Sequence, residues 1–123
     1  MNAKLLKVGI LSREEYQKRT ISIARGEYRP RKNGPKIWFE SLKSMSQVLS
    51  ADNQALLKLI IEKNPESLAE LEKLSHRKKS NLSRTLKTLE KYGIVELPRK
   101  DGRLAPRVLA TDFRVEFGLN CSE

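Results

Sequence analysis

With 123 residues, of which 38% are hydrophobic, the chain suits one small domain with an appendage and leaves no room for two full domains. Its longest apolar run, "ALLKLII", is broken by a lysine, and the opening "MNAKLLKVGILSREEY" has no apolar h-region, so neither a membrane span nor a secretory leader is expected. The net charge of +10 asks for an anionic partner, while the single cysteine, Cys121, excludes an internal disulfide and a metal cluster; a cytoplasmic protein without membrane, metal or cofactor is the expectation.

In chain order, "KLLKVGI" reads as a short strand. Ser12 and Glu15 form a capping box, which predicts a helix to Arg25 with Gly26 as its stop. "EYRPRKNGPK" follows, with two prolines, a glycine and four basic residues, and reads as a linker or arm. Trp38, Leu42, Met45 and Leu49 then fall at i, i+4, i+7 and i+11, which predicts one helical stripe widened by Phe39 and Val48. The same four residues are a candidate dimer interface, because they lie outside a minimal helical core. Asp52 is the expected N-cap of the next helix, which carries Leu56, Leu57, Leu59, Ile60 and Ile61 and cannot pass Pro65.

Ser67 and Glu70 make a second capping box and open a short helix with Leu68, Leu71 and Leu74 turned inward. The polar stretch "SHRK" separates it from a last helix, whose Leu82, Leu86 and Leu89 repeat at i, i+4 and i+7 and which ends at Tyr92-Gly93. There the period changes from 3.6 to 2. Two short runs surround "KDGR", a hairpin signal, and Pro98 and Pro106 suit a free-edged ribbon. Phe113, Val115 and Phe117 alternate in the tail, as a final strand or a docking segment. The expected organisation is a basic N-terminal element and linker (1–35), a main domain (36–110) and a C-terminal segment (111–123). The expected fold class is mainly α with a small β-hairpin, arranged as a winged helix-turn-helix (α+β).

The charge is placed, not spread. Residues 1–35 hold nine Lys/Arg against three acids and residues 75–107 hold ten against three, whereas residues 36–74 hold five against six. On the last helix Ser80, Ser83, Arg84, Lys87 and Lys91 follow the spacing opposite the leucines, and Lys79, Ser80 and Asn81 occupy its first turn. Arginine can fork onto guanine and asparagine onto adenine, while lysines meet phosphates; Arg77 and Lys78 precede the helix and join the same basic group. Arg99, Lys100 and Arg103 surround the Asp-Gly turn, where they suit phosphates or the minor groove. Double-stranded DNA is therefore the leading partner. Lys43, Lys58, Lys63 and Lys73 read as solvated charges, and His76 as a turn residue.

"NLSRTLKTLEKYGIVEL" resembles the recognition helix and wing entry of MarR-like winged helix-turn-helix regulators, matching at Ser83-Arg84, Leu86, Leu89-Glu90, Gly93 and Val95. The whole chain, with "ARGEY" and "IWFESLKSMSQVLS", is similar to a family of small prokaryotic DNA-binding proteins whose members look like antitoxins. The resemblance implies a transcriptional regulator, a repressor, reading DNA through Ser80, Asn81, Ser83, Arg84 and Lys87 with Arg103 in the wing. It also implies a homodimer and a cognate toxin protein as partner. The turn departs from the pattern: it holds His76-Arg77 in place of the usual glycine. Against an enzyme stand one histidine, one cysteine and no glycine-rich phosphate loop, so no catalytic residues are expected. An RNA-binding module lacks aromatics for stacking, since the basic region holds only Tyr92. A protein-interaction adaptor would not need cations at this spacing.

Overall fold

The structure is a computed structural model that describes residues 4–119. The chain runs β1 (Leu5–Ile10), α1 (Arg13–Ala24), β2 (Ile37–Phe39), α2 (Leu42–Val48), α3 (Ala51–Lys63), α4 (Leu68–Ser75) and α5 (Lys79–Lys91). Five strands follow: β3 (Val95–Glu96), β4 (Arg99–Lys100), β5 (Arg103–Leu104), β6 (Arg107–Val108) and β7 (Asp112–Glu116). Cys121 lies outside the described residues.

Four of the five helices start on a serine whose side chain accepts an amide of the first turn: Ser12 from Glu15, Ser41 from Ser44, Ser50 from Asn53 and Ser67 from Glu70. Each satisfies one of the donors that a helix start leaves unpaired. Asp52 is not the N-cap of α3; Ser50 is, and Asp52 sits in the first turn, where its charge complements the helix dipole. At the other end of α3, Asn64 takes a left-handed conformation and Pro65 prevents continuation.

The leucine spacing is satisfied by burial. Leu56, Leu57 and Ile60 of α3, Leu71 of α4, and Leu82, Leu86 and Leu89 of α5 join Ile94 and Val95 in one core. The ribbon after Gly93 is an antiparallel ladder in two pieces. Val95 and Glu96 face Val108 and Arg107, and Arg99 and Lys100 face Leu104 and Arg103. The prolines Pro98 and Pro106 interrupt it, and a single bond from the Ala105 amide to the Pro98 carbonyl (2.9 Å) spans the gap. At the tip Asp101 and Gly102 both have positive φ, 54° and 78°, as a type I′ turn requires.

The expected fold class needs correction. A mainly α chain with one small hairpin does not describe a structure of five helices and seven strands, about 46% helix and 19% strand. The missing part is a three-stranded parallel sheet in the order β2-β1-β7. Leu5 to Gly9 pair with Asp112 to Glu116, and Val8 to Ile10 pair with Ile37 to Phe39. Parallel strands need long crossovers, so these partners are far apart in sequence and no local period reveals their pairing. The N- and C-terminal segments thus form one element, with everything from α2 to β6 inserted between β2 and β7.

Trp38 is likewise corrected: it belongs to β2, and the predicted helical stripe begins only at Leu42, after the Ser41 cap. Pairing with β1 wins because it buries Phe39, which also stacks on Tyr92 at 4.3 Å and fastens the sheet to the end of α5. The Trp38 ring lies over Gly9 so closely that a β-carbon there would clash with Trp38 Cζ3. On the ring sits the Arg19 guanidinium, 4.8 Å from its centroid. No helix among the described residues is long and apolar enough to cross a membrane.

Candidate nucleic-acid interface

Helix α5 divides cleanly by face. Leu82, Leu86 and Leu89 are at most 1% exposed, whereas Lys79, Ser80, Asn81, Arg84, Lys87, Thr88 and Lys91 are exposed. Ser83 is half-buried at the flank of that face. Burying the leucines on α3 and α4 leaves α5 no choice but to present its cations to solvent. The sequence supplies the helical period; the core turns the helix.

The turn from α4 into α5 is three residues long. His76 closes α4 in the left-handed conformation, with φ of 60°, where a glycine would be unstrained and histidine is tolerated better than most. Arg77 does not project freely. Its guanidinium donates to Asn81 Oδ1 (2.8 Å) and Thr85 Oγ1 (2.9 Å) on α5, and to Asn53 Oδ1 (3.3 Å) on α3. Lys78 is the N-cap of α5 but offers no side-chain oxygen; instead Glu72 Oε2 accepts the Lys79 amide at 3.1 Å. The start of α5 is therefore capped by a carboxylate of α4, and its dipole is already complemented.

Between α3 and the start of α5 lies an open groove of about 960 Å³, lined among others by Asp52, Asn53, Arg77, Ser80, Asn81 and Arg84. Asn81 lines it with its amide oriented by Arg77. The ribbon cations form a separate group at the far end of α4. Lys100 Nζ pairs with Glu66 Oε1 at 2.9 Å and straps the hairpin to the segment between α3 and α4. That hydrogen bond and the charge behind it hold the Glu66 carboxyl below the usual carboxylate range and push the Lys100 ammonium above its ordinary value. Arg99 donates to the Gly102 carbonyl (3.3 Å), while Arg103 is exposed.

Trp38 does not share a surface with Met45 and Leu49. Met45 and Leu49 line a depression with Phe113 and Val115, whereas Trp38 faces another with Arg13 and Lys91. Leu42 is exposed. Asn53, Glu66 and Glu72, which organise the turn and ribbon, carry no motif; their partners lie 24, 34 and 7 residues away, beyond any local period. Among the described residues no three His, Cys, Asp or Glu side chains group as metal ligands would.

Fold and surface define a small α/β-containing chain with one basic helix presented away from its core. The chain belongs to the HVO_A0114 family, whose sequence profile matches residues 48–115, from the end of α2 into β7. No curated protein and no solved structure matches it.

Proposed function

We propose that the chain binds double-stranded DNA in a sequence-specific way and regulates transcription as a repressor. The observation that carries this reading is the exposed face of α5. Lys79, Ser80, Asn81, Arg84, Lys87 and Lys91 lie opposite three buried leucines, so cations and base-reading side chains share one surface. A groove beside the first turn leaves Asn81 and Arg84 open to a ligand. The ribbon adds phosphate contact through Arg103 and Arg99. We also propose a homodimer, through the face where Met45 and Leu49 meet Phe113 and Val115, because Val115 there, Leu42 on α2 and Phe117 just after β7 are exposed. A toxin protein, as the resemblance implies, is the competing occupant of that face.

Selection from a random duplex pool, followed by binding isotherms, tests the reading. Asn81→Ala and Arg84→Ala should each cost about 1–3 kcal/mol on the selected site, the scale of a good bidentate base contact. Random duplex should lose less with Asn81→Ala, because a neutral side chain releases no counterion. If the pool yields no preferred site, or both variants bind it like the parent, α5 does not read DNA. Sedimentation at micromolar concentration decides the dimer.

A further inference from the structure

The exposed stripe of α5 does not stop at the helix. From Lys79 to Lys91 the axis rises by about 18 Å, whereas the major groove of B-DNA is about 12 Å wide. A helix that enters the groove by its N-terminal end, with its axis across the groove, carries its last turn out over the rim, where the phosphates lie. Lys91 sits at that end, and the tertiary structure brings beside it one cation of the N-terminal basic block and one from the residue that follows that block. Arg13, at the start of α1, and Lys36, just before β2, line one depression of about 490 Å³ with Lys91 and Tyr92. The Phe39–Tyr92 stack at 4.3 Å fixes their placement, because it locks β2 onto the C-terminal end of α5.

We propose that Arg13, Lys36 and Lys91 form a second phosphate-contact site, which grips the duplex backbone flanking the segment under α5. The inference rests on the DNA reading above. It gives the N-terminal basic block, which that reading leaves idle, a part in the same surface. The existing partners of the three cations are weak. Arg13 Nε stands 3.7 Å from Glu40 Oε1 with both side chains largely exposed, and Lys36 Nζ donates to the Lys32 carbonyl at 3.3 Å. Lys91 Nζ lies 5.7 Å from the centroid of its neighbour's ring, Tyr92. Glu40 in the depression and Glu14 and Glu15 on the first turn of α1 oppose an anion, and the three cations must outweigh them. None of the three cations is buried, so their replacement leaves the core untouched.

The test uses the full chain and a selected site in two duplexes, one bare and one with flanks. In the parent, the flanked duplex should bind more tightly, with a steeper dependence of log K on log salt. Arg13→Gln, Lys36→Gln and Lys91→Gln together should lower that slope by about 2.7 on the flanked duplex, near 0.9 for each phosphate contact. Base preference at the site should be unchanged. Neutral methylphosphonate linkages in the flanks should reproduce the loss in the unmutated protein and have no further effect on the triple variant. A parent indifferent to flanks and to methylphosphonates, or a triple variant with the parent's slope, would overturn the proposal while leaving the reading by α5 intact. A parent that binds no duplex would remove both.

Discussion

Arg77 tests whether a cation beside α5 would contact a duplex or instead builds the surface proposed to do so. Its guanidinium makes two short hydrogen bonds to α5, at 2.8 and 2.9 Å, and one long one to α3, at 3.3 Å. A hydrogen bond to a charged group is worth about 1.5–3 kcal/mol net. The side chain is only half-buried, which roughly halves each value, and the long bond contributes least. Arg77→Ala should therefore cost about 2–4 kcal/mol, on the order of 10 °C in melting temperature. Arg77→Lys should recover only part of this, because one ammonium cannot fork to acceptors on two helices. Thermal melts of both variants give the stability, and binding isotherms at several salt concentrations give the phosphate count. With the guanidinium turned into the protein, the salt slope of Arg77→Ala should stay at the parent's value while specific affinity falls through the loosened Asn81. An unchanged melt together with a slope lower by about 0.9 would refute the reasoning and return Arg77 to the role of a phosphate ligand.

Leu86, 1% exposed, should lose about 2–5 kcal/mol on substitution by alanine, read as a lower urea midpoint; a loss under about 1 kcal/mol would remove it from the core. Gly9→Ala should cost about 1–3 kcal/mol, because the new methyl must displace the ring of the chain's single tryptophan, and a shifted emission maximum reports the displacement. The Glu66–Lys100 strap should depend on pH with a defined sign. Glu66 titrates low in the fold, so its contribution is complete above the ordinary carboxylate pKa of about 4.3 and fades as pH falls through the lower folded value. Lys100 titrates high, so its contribution holds below about 10.4 and fades as pH rises through the raised folded value. The Lys100 ε-methylene resonances should shift with acid in the parent and stay still in Glu66→Gln; identical titrations would show that the strap does not form.

The serines before α1 and α4, the leucine periods of α3 to α5 and the Asp-Gly turn are local features. Their physics acts within one helical turn or one hairpin, so the chain's own order displays them. The exposed face of α5 follows from the same period, since burial of Leu82, Leu86 and Leu89 leaves Ser80, Arg84, Lys87 and Lys91 outside. Tertiary structure decided the rest. Trp38 and Phe39 fit a helical stripe as well as a strand, and only β1, more than 25 residues earlier, selects the strand. Parallel pairing of β1 with β7 joins residues 107 positions apart, as between Leu5 and Asp112. The partners of Arg77 and Lys100 likewise become neighbours only when α3, α4 and the ribbon close on one core. Loop closure over such distances leaves no periodic trace, because the contact depends on where the chain returns and not on what precedes it.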